Sequence, residues 1–203
     1  MSMNQAIPHD SAKLHVTGEA RYVDDIPLPA KTLHLAFGLS SIAKGEIKSI
    51  DLSAVRAAPG VLDIILSKDL PFTNDVAPNA HDEQLLADTH VNFIGQPIFI
   101  VVAKAHTQAR YASTLAIIDY TEGKPIISID EVINADNRFE EGPRIYDTGD
   151  TVSALKSSPF TLEGKLELGG QEHFYLEGQA AIASPQDLLS LIHISEPTRR
   201  RGI

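Results

Sequence analysis

The sequence predicts an α+β fold, and two patterns of apolar residues carry that prediction. The side chains Leu33, Leu35, Phe37 and Leu39 alternate with smaller or polar residues, which is the period-2 pattern of a half-buried strand. Residues 98–103 form instead a continuous, mostly β-branched run, as expected for a central strand buried on both faces. Candidate helices separate such strands by short connections, an order typical of α/β or α+β proteins and not of all-β proteins.

The first half of this fold is predicted as strand, helix and strand. Residues 47–50 form a short strand candidate, and Asp51 is expected to cap a helix that includes Val55. Pro59 and Gly60 then end the helix, because proline lacks an amide hydrogen and glycine accepts left-handed backbone angles. The apolar run Val61–Leu66 follows as the next strand.

The second half repeats the order after the buried strand. Thr107 is expected to cap a helix whose buried face consists of small or apolar residues, namely Ala109, Ala112, Leu115 and Ala116. Residues 117–120 return as a strand. We therefore expect the strands at 33–39, 61–66, 98–103 and 117–120 to share one core, with the Thr107 helix packed on it.

Composition narrows the class of protein. The chain has 203 residues, a formal net charge of −10 and no cysteine. The negative charge disfavours binding to nucleic acid or to anionic membranes, and the missing cysteines exclude disulfides, thiolate nucleophiles and cysteine-ligated iron–sulfur clusters within the chain. No run approaches the roughly 18 apolar residues of a membrane span, and the first 13 residues lack the apolar core of a signal peptide. Cytoplasm is the expected compartment.

Clusters of chemically active side chains outside the glycine-rich stretch are interpreted as structural. His81, Asp82 and Glu83 are consecutive, so they cannot easily converge on one metal ion, and a solvated loop is the better interpretation. Asp24 and Asp25 are adjacent and are expected to point apart in a turn. No complete catalytic set follows from these residues.

The most informative stretch begins with two glycines. Residues 169–181 read Gly-Gly-Gln-Glu-His-Phe-Tyr-Leu-Glu-Gly-Gln-Ala-Ala. Glycine allows positive φ and close approach of a ligand or a second backbone, so either an ordinary β-bulge or a binding site fits Gly169, Gly170 and Gln171. A strand over residues 160–168 is expected to deliver Gln171, and residues 174–182 are expected to return as the second strand of a hairpin.

Glutamate and histidine residues follow Gln171 in the same stretch. His173 is interpreted as a histidine satisfied by neighbouring polar groups rather than as a base. Glu172 and Glu177 have odd spacing, which sends them to opposite faces of a strand, so they are not placed as an acid/base pair. The stretch therefore offers Gln171 as its one candidate site side chain.

The stretch from 169 to 181 closely resembles the start of the molybdenum domain in the xanthine dehydrogenase/aldehyde oxidase family. Residues 17–26 (Thr-Gly-Glu-Ala-Arg-Tyr-Val-Asp-Asp-Ile) and 78–88 resemble the same family in the same order. The resemblance implies an α/β hammerhead domain followed by the first β-hairpin of a truncated molybdopterin-binding domain. It also implies that Gln171 hydrogen-bonds an oxo ligand of molybdenum without being a direct ligand, and that Gly170 lies at the cofactor.

The resemblance implies an oxidoreductase of purine catabolism that hydroxylates hypoxanthine or xanthine with water-derived oxygen. Its cofactors would be molybdenum–molybdopterin in the longer parent, with iron–sulfur clusters and FAD on partner chains or domains. None is expected on the 203 residues alone, because other segments supply the rest of the site. Two alternatives stay open: an aldehyde oxidase-type hydroxylase with another substrate, and a non-catalytic hammerhead module that binds partner subunits.

The chain is predicted to have four regions. Residues 10–122 would form the hammerhead domain, 123–159 a linker, and 160–187 the start of the molybdopterin-binding domain. Residues 188–203 do not resemble the family and are interpreted as translated sequencing-adapter read-through, with a divergent natural terminus as the alternative. This tail is expected to lack a fixed place in the core, although it is apolar enough to attach to an exposed sheet edge.

Overall fold

A computed structural model describes residues 9–78, 81–138, 142, 145–171, 180–186 and 190–195. Residues 30–154 form one compact unit, and the described residues before 30 and after 154 belong to a second. The helices are α1 (Ala12–Thr17), α2 (Ser53–Ala57), α3 (His106–Ser113), α4 (Ile129–Asn134) and α5 (Thr151–Ser157). The strands are β1 (His34–Leu39), β2 (Gly45–Asp51), β3 (Val61–Leu66), β4 (His90–Val91), β5 (Pro97–Ala103), β6 (Ile117–Glu122), β7 (Ala181–Gln186) and β8 (Ser190–Ser195).

Strand β5 is the centre of the first unit. It lies between β1 and β3 and is antiparallel to both. Residues 98–103 are all buried, and Phe99 and Val101 are among the fully buried side chains of the core. The prediction of a central strand covered on both faces is confirmed, because only such a strand can bury every consecutive side chain.

A second antiparallel sheet covers the same core from another direction. Its order is β4-β2-β6, so β6 pairs with β2 and does not join the β5 sheet. Ile47 and Ile50 of β2, with Ile118 and Tyr120 of β6, are partly buried against the core. The predicted strands therefore share one core as expected, but they are divided between two sheets.

Strand β1 is turned with its large apolar side chains outward. Leu35 and Phe37 are exposed, whereas Gly38 is buried and Ala36 is half-buried. The register places Gly38 opposite Phe99, and a Cβ added to Gly38 would lie 2.0 Å from the Phe99 ring. Alternation correctly predicts the strand, but the covered face has room only for small residues because Phe99 and helix α3 fill it.

Neither predicted capping residue occupies the N-cap position of its helix. Leu52 is the N-cap of α2, and no side chain caps that helix from this position. Asp51 precedes Leu52 and accepts a hydrogen bond from the amide of Ser53, the first helical residue, at 2.8 Å. The predicted cap of α3 is wrong: the helix begins at His106, Ala105 precedes it, and no side chain caps it. Thr107 thus lies within the first turn. Ala109 and Ala112 are fully buried, which confirms that part of the predicted small-residue face. The other two predicted members, Leu115 and Ala116, follow the end of α3 at Ser113 and are partly buried against the core.

The second unit contains less regular structure. No strand forms over residues 158–171, so the strand predicted at 160–168 is not observed. Strand β7 pairs antiparallel with β8, which places part of the tail from residue 188 in a two-stranded sheet. Residues 172–179, which include most of the returning strand predicted at 174–182, lie outside the described residues. Within the described part of the chain, no helix is long and apolar enough to cross a membrane.

Candidate functional site

The segment that ends at Gln171 is open to solvent. Gly169, Gly170 and Gln171 are all exposed and have no assigned secondary structure. A Cβ added to either glycine would meet no heavy atom within 4 Å. The described residues therefore provide no close backbone approach at this point, and the predicted β-bulge is not seen. Glu172, His173 and Glu177 lie outside the described residues.

The described residues do not by themselves enclose a metal or a pterin. Among them, no group of three or more His, Cys, Asp or Glu side chains could hold a metal ion. Gln171 has an amide that could donate or accept a hydrogen bond, but it is exposed and no described wall surrounds it. A molybdenum cofactor thus does not fit a site built only from these residues.

The loop around His81 is held together by local contacts. The His81 Nδ1 and the Asp75 Oδ2 are 2.5 Å apart, and the Ala77 amide donates to Asp75 at 2.9 Å. The Ala77 amide, followed by His81, holds the pKa of the Asp75 carboxyl below its usual range. His81 therefore bonds back across its own loop, in agreement with the interpretation of this stretch as a loop.

The aspartate pair near residue 24 also has a local role. The Asp25 carboxylate accepts a hydrogen bond from the Tyr22 amide at 3.0 Å and stabilises a short 3₁₀ turn, Val23–Asp25. Asp24 is exposed in the same turn. This arrangement explains the doublet without catalysis.

A corner beside β5 buries two polar side chains. These residues are Ser40 and Gln96. The Gln96 side-chain Oε1 accepts a hydrogen bond from the backbone amide of Asn92 at 2.7 Å. The Gln96 backbone carbonyl accepts a hydrogen bond from the backbone amide of Ser40 at 2.9 Å. The Gly95 amide donates to the Ser40 carbonyl, and Gly95 has a φ of +86°. Because these buried groups are paired, the corner joins β1 to the start of β5 and is structural.

A concave region of the first unit was not predicted from the sequence. It is a cavity of about 250 Å³ at one end of the β4-β2-β6 sheet. Its lining comes from three separate segments, namely Lys44, Gly45, Glu46, His90, Val91, Asn92, Thr121, Glu122 and Gly123. No local motif marks these residues, because only the pairing of β2 with β4 and β6 brings them together.

Comparison with known proteins identifies the domain. Residues 17–124 match the family described as aldehyde oxidase and xanthine dehydrogenase, a/b hammerhead domain. The chain belongs to this family. The match covers more than half of the chain and includes the β1-β5-β3 sheet, the β4-β2-β6 sheet and helices α2 and α3. The predicted α+β hammerhead fold is therefore confirmed.

Individual relatives extend the likeness beyond the hammerhead domain. A xanthine dehydrogenase of Oryza sativa subsp. japonica is 38% identical over 200 residues, which is 98% of this chain and 15% of that protein. Aldehyde oxidase 1 of Cavia porcellus is 39% identical over 185 residues, 91% of this chain and 14% of that protein. This hammerhead chain thus spans about one-seventh of the length of such relatives, which by name are oxidoreductases.

A solved structure gives the same result for the backbone. The aldehyde oxidoreductase from Desulfovibrio gigas superposes with a TM-score of 0.79 and 28% identity. The superposition covers 93% of this chain and 23% of that protein. It supports the family fold for this chain.

Proposed function

We propose that this chain is the N-terminal part of the molybdenum-binding subunit of a xanthine dehydrogenase. The longer protein would hydroxylate hypoxanthine or xanthine with oxygen derived from water. The observation that carries the proposal is the hammerhead match over residues 17–124, followed in family order by the Gly-Gly-Gln stretch at 169–171. The 38% identity to a plant xanthine dehydrogenase over 98% of the chain supports it.

Gln171 is the residue of this chain that we place nearest to the reacting centre. Its side-chain amide would hydrogen-bond an oxo group of the molybdenum without ligating the metal, and Gly170 would allow the backbone to lie against the cofactor. Both residues are exposed, and among the described residues no heavy atom lies within 4 Å of a Cβ added to Gly170. The proposal therefore requires that other segments form the remaining wall of the site.

The cofactors of the proposed protein are distributed over more chain than these 203 residues. Molybdenum–molybdopterin, when bound, would supply the oxygen-transfer and electron-accepting chemistry. Iron–sulfur clusters and FAD would lie on partner chains or domains, because cysteine is absent from this sequence. We place the protein in the cytoplasm, with a purine as substrate and an iron–sulfur/FAD component as partner.

The 203-residue chain itself is proposed to be inactive. Catalysis needs groups from several segments held within a fraction of an ångström of a productive geometry. Here only the segment with Gln171 is present, and the described residues form no metal-binding group. Gln171 would then have nothing to orient.

Metal analysis and xanthine turnover test this proposal. The purified 203-residue chain should contain no stoichiometric molybdenum and should not oxidise xanthine, whereas a version continued by family sequence should do both. In that longer protein, Gln171→Ala should retain molybdenum but lower turnover, by up to about 10²–10³-fold if the amide stabilises developing charge. Activity in the short chain would contradict its proposed inactivity, and full turnover by Gln171→Ala would remove Gln171 from the site.

An aldehyde oxidase-type hydroxylase is the second candidate. The identity to aldehyde oxidase 1 of Cavia porcellus, 39%, equals that to the plant xanthine dehydrogenase within one percentage point. The two groups would be separated by comparing kcat/KM for xanthine with kcat/KM for an aromatic aldehyde in the longer protein. Preference for the aldehyde would establish the alternative.

A non-catalytic role is the third candidate. Residues 30–154 form a compact unit with its own core, and the same unit could act as a module that binds partner subunits. Co-purification with an iron–sulfur/FAD subunit, without molybdenum in any longer version, would favour this role over catalysis.

A further inference from the structure

Residues 160–168 have two chemically different faces. Thr161, Glu163, Lys165 and Glu167 alternate with Phe160, Leu162, Gly164, Leu166 and Leu168. The Lys165 Nζ and the Glu167 Oε1 are 2.7 Å apart, and this ion pair joins residues two positions apart. Side chains at i and i+2 share one side of an extended backbone. The segment thus has the side-chain arrangement of an amphipathic strand, although no sheet is assigned to it.

The apolar face of this segment is almost wholly exposed. Phe160, Leu162, Leu166 and Leu168 have relative exposures of 78–101%, and residues 158–171 have no assigned strand. Contiguous exposed apolar side chains on a protein surface indicate an interaction site. Within the described part of the chain, no strand pairs with residues 158–171. An extended segment with an uncovered apolar face and no strand beside it is suited to pairing with another strand.

The sequence of the segment is complementary to itself around Gly164. Counting outward from Gly164 pairs Glu163 with Lys165, then Leu162 with Leu166. The next pairs are Thr161 with Glu167 and Phe160 with Leu168. In an antiparallel pair of strands, directly opposed residues lie on the same face and interact across the gap. Two copies aligned in this way would oppose Glu163 to Lys165 and apolar residues to apolar residues, with Thr161 opposite Glu167.

We propose that residues 160–168 are a self-association site, at which a second copy of this chain pairs antiparallel about a two-fold axis at Gly164. The charge complementarity selects the partner, because each copy supplies a Glu163 and a Lys165 to the other. Such an interface is isologous and closes at two copies. At the axis Gly164 would oppose Gly164, and no Cβ would hold the backbones apart. The inference concerns the 203-residue chain and does not depend on the proposed reaction.

Sedimentation equilibrium and amide hydrogen exchange of the 203-residue chain test the pairing. We expect a reversible monomer–dimer equilibrium, with amides of residues 160–168 becoming protected as the protein concentration rises. Lys165→Glu would place a carboxylate opposite Glu163 of the other copy on each side of the two-fold axis. It should raise the dimerisation Kd at least about tenfold. The charge exchange E163K/K165E restores opposite charges and should return the Kd to within about threefold of the original.

A matched control separates pairing across the axis from the ion pair within one chain. Glu167→Gln removes the Lys165–Glu167 ion pair within one chain. Position 167 lies opposite the uncharged Thr161 of the other copy, so the dimerisation Kd should change less than about threefold. The circular dichroism melting of each variant should equal that of the parent, because the segment lies outside the unit of residues 30–154.

Three outcomes would overturn the proposal. The first is a chain that stays monomeric up to about 100 µM, a limit well above the Kd of specific interfaces. The second is a dimer that Lys165→Glu leaves unchanged, or that E163K/K165E fails to restore. The third is protection of residues 160–168 in a monomer, whether of this chain or of a version continued by family sequence, which would assign the strand to a sheet of its own polypeptide.

Discussion

Strand β5 and the segment 160–168 both have the sequence of a strand, but only β5 lies in a sheet. Every residue from 98 to 103 is buried between two neighbouring strands and the helices, whereas Phe160, Leu162, Leu166 and Leu168 are exposed. A strand has no hydrogen-bonding partners of its own, so its formation depends on a neighbour elsewhere in the molecule. Alternation of apolar and polar residues therefore indicates the two faces of a strand, but it does not show that a neighbouring strand completes a sheet.

The largest effect should come from placing a charge in β5. Val101→Asp buries an unpaired carboxylate, at a cost of several kcal/mol, comparable to the roughly 5–15 kcal/mol stability of a domain. We expect the variant to lose cooperative thermal unfolding by circular dichroism. The matched substitution Tyr146→Asp, at a fully exposed position of the same unit, should melt like the parent. A soluble Val101→Asp protein with a cooperative transition would contradict the central position of β5.

A smaller effect should come from filling the covered face of β1. Gly38→Val adds side-chain atoms where a Cβ would already lie 2.0 Å from the Phe99 ring, and overpacking of this kind costs about 1–3 kcal/mol. Urea unfolding should show this loss. Leu35→Val, on the exposed face of the same strand, should change the free energy of unfolding by less than about 0.5 kcal/mol. Equal effects from the two variants would contradict the observed orientation of β1.

Removal of the tail should have little effect on the first unit. A chain that ends at Gln186 loses β8, which pairs with β7 in the second unit. The free energy of unfolding of residues 30–154, measured by thermal unfolding, should stay within about 0.5 kcal/mol of the parent value. A large loss of stability would show that the tail is an integrated part of the fold and would argue for a natural terminus.

The smallest effect concerns the start of α2 and depends on pH. The amide of Ser53, followed by its side chain, holds the pKa of the exposed Asp51 carboxyl below its usual range. A carboxyl with a lowered pKa in the folded state stabilises the fold above its unfolded pKa, and the contribution is lost as the pH falls through the folded pKa. Asp51→Ala should therefore reduce the melting temperature slightly at pH 7, and this reduction should shrink as the pH falls below about 3.8, the usual pKa of the carboxyl. A reduction that stays constant over this range would exclude the charged hydrogen bond at the start of α2.

The site shows how far local sequence could predict function. The Gly-Gly-Gln stretch and the residues at 17–26 point to the family, and the hammerhead match confirms it. The role of Gln171 stays a prediction, because a glutamine acquires its function from the groups around it and the described residues provide no such shell. The cavity at the end of the second sheet had no sequence signal, since three separate segments line it.

The sequence by itself determined the elements whose cause is local or compositional. The unbroken apolar run of β5 can be satisfied only by burial on both faces, and the alanines of α3 can only form a closely packed helix face. Tertiary structure alone decided which face of β1 is covered, because Phe99 from another strand occupies the space above Gly38. It also decided that β6 pairs with β2 and that residues 160–168 lack a sheet, since strand pairing is set by contacts between residues far apart in the chain.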